Sequence, residues 1–118
     1  MAGRLRLITV CETKAFARVV EKLWTTVERE EFIDFIAANP FEGDVIEGTG
    51  GVRKVRWSRQ GIGKRGGVRV IYYIYDERLP LFLLTAFAKN ESDDLSNNGR
   101  KAYRDFVTEL KAMTARRT

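Results

Sequence analysis

A chain of 118 residues, 44% hydrophobic and 31% charged with a net charge of +5, has the makeup of a folded domain, taken here as one unit over 1–118. It has no histidine and a single cysteine, Cys11. That excludes paired-histidine ribonuclease chemistry, Ser-His-Asp and Cys-His triads, imidazole-bound zinc and an intrachain disulfide. No apolar run approaches the ~20 residues of a membrane span, and MAGRLRLITVCETK holds too short an apolar stretch for a signal peptide. The expected setting is the cytoplasm, with no membrane partner and a reducing environment for the lone thiol.

In chain order, Leu5 to Val10 (LRLITV) is short and β-branched and reads as a strand. Phe16, Val19, Val20 and Leu23 then recur at i, i+3, i+4 and i+7, one stripe of an amphipathic helix with Thr13 as its N-cap. Thr25 and Glu28 have capping-box spacing and open a second helix whose apolar face holds Phe32, Phe35 and Ile36. Asn39-Pro40 ends it, because the residue before proline is driven out of the helical region. So short a link predicts a helical hairpin. Residues 40–51 read as a glycine-containing loop. In Val52 to Ser58 the alternation puts Lys54, Arg56 and Ser58 on one face and Arg53, Val55 and Trp57 on the other. Val68 to Tyr75 is a second strand, with Arg69, Ile71, Tyr73 and Tyr75 sharing a face, and Leu81 to Ala88 a third, almost wholly apolar one. These three pair as an antiparallel meander. Tyr103, Phe106, Val107 and Leu110 mark a final amphipathic helix. The order is that of an α+β domain with its helices on one face of an antiparallel sheet.

The positive charge is local. Seven Lys and Arg stand between Glu47 and Asp76 with no acid among them, so the rest of the chain is slightly acidic. Gly61, Gly63 and Gly66 have the spacing of a dinucleotide-binding turn, but that turn must open a helix, and the residues that follow are VRVIYYIY. The glycines are better read as a connection between strands. A run of charges is ordinarily solvated surface, and tyrosines in a strand are ordinarily core. Here the cluster of Arg53, Lys54, Arg56, Arg59, Lys64, Arg65 and Arg69 lacks compensating acids and is interleaved with Trp57, Tyr72 and Tyr73. Those are the parts of a surface for RNA: cations for phosphates and rings for unpaired bases. Such a patch suits cleavage as well as binding. Arginine presents paired donors to phosphoryl oxygens, and a lysine crowded by other cations gives up its proton more readily and suits a general base.

The strings GDVIEGTGGVRKVRW, GKRGGVRVIYYIYDE and FLLTAFAKNE resemble the RelE/HigB-like toxins of bacterial type II toxin–antitoxin modules, within the RelE/ParE superfamily. The resemblance runs from about Gly43 to Leu95, and the two preceding helices agree with it in layout. It implies a RelE-like α+β fold in which a small antiparallel sheet carries two N-terminal helices and a C-terminal one. It implies a ribosome-dependent endoribonuclease that cuts mRNA in the 30S A site, by attack of a 2′-hydroxyl on the adjacent phosphate, without metal or cofactor. The implied partners are the ribosome with its message and a cognate antitoxin, HigA-like with a helix-turn-helix. Carried over by position, the catalytic set is Lys54, Arg56, Arg69 and Lys89; from the cationic patch itself, Arg53, Arg59, Lys64, Arg65 and Tyr73 are expected on RNA or ribosome. Lys54 or Lys64 would serve as base, with Arg56 and Arg69 stabilising the phosphorane.

The sequence departs from the family pattern in two places. Asn90 stands where an arginine is expected, and Glu91 to Leu95 lacks the expected tyrosine; the histidines of some HigB toxins are also missing. Glu91 is open as an acid–base group or as a partner holding Lys89. Two other functions stay open at this point: a ParE-like toxin of the same fold aimed at DNA gyrase, and a non-catalytic RNA or ribosome binder.

Overall fold

The computed structural model describes residues 7–58, 67–88 and 97–116. The chain enters along the edge of a sheet. Strand β1 (Val10–Glu12) lies parallel to β5 (Leu81–Ala88), in the register Val10↔Leu81 to Glu12↔Leu83. Thr13 ends the strand and starts the first helix. Its hydroxyl donates to the Leu83 carbonyl (2.7 Å) and accepts from the Phe16 N–H (3.2 Å), fastening the N-terminus of α1 (Lys14–Leu23) to the sheet. After Trp24 a complete capping box opens α2 (Thr26–Ala38): the Thr25 N–H donates to Glu28 Oε1 (2.9 Å) and the Glu28 N–H to Thr25 Oγ1 (3.1 Å). Asn39 closes α2 by donating its own N–H and its side-chain amide to the Phe35 carbonyl. The cap at Thr13, the capping box and the Asn39 stop all fall where the sequence puts them.

The rest of the sheet follows β2 (Asp44–Val45), β3 (Arg53–Trp57) and β4 (Val68–Tyr73), in the spatial order β1-β5-β4-β3-β2. The meander β3-β4-β5 is antiparallel, and the parallel β1 makes the five-stranded sheet mixed. The first strand thus lies later than the expected Leu5 to Val10 span, of which residues 5 and 6 fall outside the described residues. Within the expected loop, the two-residue β2 pairs with β3 across a tight turn at residues 46–51. There Thr49 is fully buried, donating to the Ile46 carbonyl (2.7 Å) and accepting from the Val52 N–H (3.0 Å). Gly48, Gly50 and Gly51 flank it at φ +82°, +80° and +118°, backbone that side-chain-bearing residues rarely adopt.

The helices do not share a face. Phe16 and Val20 of α1 and Phe32 and Ile36 of α2 pack on Val55, Val70, Tyr72, Leu81 and Leu83. The last helix, α3 (Asn97–Arg116), covers the other side, where Tyr103, Phe106, Val107 and Leu110 meet Ile46, Val52, Ile71 and Tyr73. The one-face expectation is therefore corrected to helix–sheet–helix. The reason is the makeup of β4 and β5, apolar on both sides and so in need of cover on both. Between Ile71 and Tyr72 the register slips: Ile71 faces Thr85 but Tyr72 faces Leu83. Leu84 is the extra residue of this bulge and packs on the α3 side.

Candidate functional site: a cationic end of the α3-side sheet face

Two strands supply the cations. On β3 the alternation separates Lys54 and Arg56 from Arg53, Val55 and Trp57, and pairing with β4 sets Arg56 directly opposite Arg69 and Lys54 opposite Ile71. Lys54, Arg56 and Arg69 therefore lie on one face. Going along β4 on this face, Tyr73 and Ile71 are buried under the α3 cluster, whereas Arg69 is only half-buried; on the β3 side, buried Val52 gives way to Lys54 and Arg56. The apolar cover ends where the cations begin.

Arg56 and Arg69 are brought together by what is missing between them. A Cβ added to Gly67 would lie 2.9 Å from Arg56 Nε, 3.3 Å from Ser58 Oγ and 3.4 Å from Arg69 Nη1. The Arg56 side chain thus rests over bare backbone, beside a hydroxyl and a second guanidinium. Arg69 Nη1 is buried and has no hydrogen-bond partner among the described residues. A buried donor left unpaired costs free energy. An anion seated there removes that penalty, and a phosphoryl group offers oxygens in the spacing a guanidinium fork recognises.

The other expected residues divide. Arg53 is on the opposite face, where Nη1 donates to the Gly43 carbonyl (2.6 Å) and the guanidinium lies 5.2 Å from the Phe41 ring centroid; it ties residues 41–43 to β3. Tyr73 is corrected from a base platform to a core residue: it is 2% exposed and packs edge-to-face on Phe106 (6.4 Å, 89°). The alternation put Tyr73 on the right face, but nothing in the sequence said that α3 would cover it. Tyr72 is fully buried, its oxygen accepting the Gly43 N–H at 2.8 Å. Burial pushes its phenol above the usual 10.0, against the opposing pull of the Gly43 N–H and of Arg53. Trp57 joins Phe32 and Phe35 in an aromatic cluster. Lys89, Arg59, Lys64 and Arg65, with Glu91 and the glycines 61, 63 and 66, lie outside the described residues. Sequence reasoning missed Gly67 as a contributor and placed Ser58 on this face without using it; only the β3–β4 register could have singled them out. A cleft of about 400 Å³ between Ile8, Ala37, Phe41 and Ile74 includes none of the cationic set.

A family model for the RelE toxin of the RelE/RelB toxin–antitoxin system matches residues 8–117. The chain belongs to the RelE toxin family. In this RelE-family chain the match takes in every strand of the sheet and all three helices, so the cationic face lies within the matched fold rather than in an addition to it. A RelE toxin is one half of a toxin–antitoxin pair, and an antitoxin is the partner this membership implies. Among the described residues no helix is long and apolar enough to cross a membrane.

Proposed function

We propose that this RelE-family toxin is a ribosome-dependent endoribonuclease that cleaves mRNA and so stops translation. The observation that carries the proposal is the placement of Lys54, Arg56 and Arg69 on one face, with Arg69 Nη1 buried and unpartnered among the described residues. Lys54 accepts the proton of the 2′-hydroxyl, the freed oxygen attacks the adjacent phosphorus, and the bond from phosphorus to the 5′-oxygen breaks. The leaving oxygen takes a proton from water, giving a 2′,3′-cyclic phosphate and a 5′-hydroxyl end. Arg56 and Arg69 hold the phosphoryl oxygens as charge builds on them, the kind of stabilisation that usually contributes most. Lys89 follows β5 directly in sequence and belongs to the same proposed set through the family resemblance.

The reading is tested by inducing the chain in bacteria, with and without its antitoxin, and mapping the ends of messages. It expects new ends within translated regions, lost when the antitoxin is co-expressed. Arrested growth with intact message and damaged DNA would contradict it.

A further inference from the structure

We infer that Gly67 is a positioning residue: its lack of a side chain seats the Arg56 guanidinium beside Arg69 and Ser58, forming a clamp for a single phosphoryl group. The inference rests on the nuclease reading for the identity of its natural ligand, and on geometry for the clamp itself. Gly67 lies opposite Ser58, one step beyond the Trp57↔Val68 pair. Three donors meet over its Cα, at 2.9, 3.3 and 3.4 Å from the place a Cβ would take. A contact of 2.9 Å is closer than real Cβ atoms come, so even alanine must displace Arg56 Nε. Ser58 Oγ, at 3.3 Å, must also give by a few tenths of an ångström, but both groups are on side chains and Gly67 does not use positive φ.

Arg56 lies directly across the strands from Arg69, and Arg69 Nη1 is buried without a partner among the described residues. A phosphoryl group supplies the missing acceptor, taking hydrogen bonds from Arg69 and Arg56 and a further one from the Ser58 hydroxyl. The ligand class is therefore a phosphate group: the scissile phosphate of RNA in function, and inorganic phosphate as its smallest probe. Gly67 touches no ligand. It decides where Arg56 sits.

The test compares thermal unfolding of the full chain in inorganic phosphate and in sodium chloride of matched ionic strength and pH. Phosphate is expected to raise the midpoint of the wild type beyond the chloride value. Gly67→Ala is expected to unfold as the wild type does in chloride but to lose most of the phosphate shift, a roughly tenfold weaker affinity. A purely structural role would instead lower both midpoints together. Should Gly67→Ala fail to fold, Ser58→Ala at an exposed position decides: a reduced phosphate shift supports the clamp and an unchanged one overturns it. A full phosphate shift in Gly67→Ala, or none in the wild type, also overturns it. No RNA is present, so the two readings fail separately. A phosphate-specific shift in a chain that leaves messages uncut keeps the clamp and removes the nuclease. Message cleavage by Gly67→Ala at the wild-type rate keeps the nuclease and removes the clamp.

Discussion

The behaviour of Arg69 separates a binding role from a structural one. Its Nη1 makes no hydrogen bond among the described residues, and it faces Arg56 across the strands, so its charge gives the empty fold little. Arg69→Ala is therefore expected to leave the unfolding midpoint near that of the wild type, while the slope of log affinity for RNA against log salt falls by about one. An unchanged slope would take Arg69 off the phosphate path. Arg69→Lys keeps the charge but loses the planar fork, and is expected to restore binding more than cleavage. Tyr72 is the opposite case. Its phenol accepts the Gly43 N–H inside the protein, and both residues are buried. Tyr72→Phe strands that N–H and is expected to cost about 1–3 kcal/mol in denaturant titration, with cleavage retained. At this scale the sequence told the faces of Lys54, Arg56 and Arg69 correctly, because side-chain direction in a strand has a period of two. It did not tell that Arg53 would turn to the Gly43 carbonyl or that Gly67 would sit under Arg56. Both depend on neighbours distant along the chain.

At the scale of elements, helix ends were the most legible part, since caps are local chemistry. Thr13 shows why such a residue matters beyond its helix: one hydroxyl holds the Phe16 N–H and the Leu83 carbonyl, joining α1 to β5, a strand that contributes to both apolar layers. Thr13→Ala is expected to lower stability by about 1–2 kcal/mol without changing the denaturant slope. A loss no greater than at an exposed mid-helix site would show that the link to Leu83 adds nothing. The short β2 escaped notice because two residues, Asp44 and Val45, carry no alternating pattern; its place is set by the turn built on Thr49. The bulge at Leu84 was equally hidden. LFLLTAFA is apolar throughout, so a slip in register leaves no mark on the pattern.

For the whole molecule, the division of labour between the two sheet faces accounts for both stability and the exposed cations. One face is wholly committed to α1 and α2; the other is covered by α3 over Ile71 and Tyr73 and then becomes cationic at Lys54, Arg56 and Arg69. Tyr72 and Tyr73 serve the two layers, and burial raises both phenols above 10.0. A raised phenol binds its proton more tightly in the folded chain, so its contribution is complete below pH 10 and is lost as pH rises from there through the folded value. Denaturant midpoints are expected to fall above pH 10, less steeply in Tyr72→Phe; equal slopes would deny Tyr72 this part. The distribution of helices over both faces was not readable from element order alone, although the two-sided apolar strands held the clue. The most direct measurement of the account as a whole is primer extension on messages held by translating ribosomes, with equal amounts of wild type and Arg69→Ala. It predicts a new message end with the wild type, formed on the order of a hundredfold more slowly with Arg69→Ala. No cleavage by the wild type, or equal cleavage by both, would contradict it.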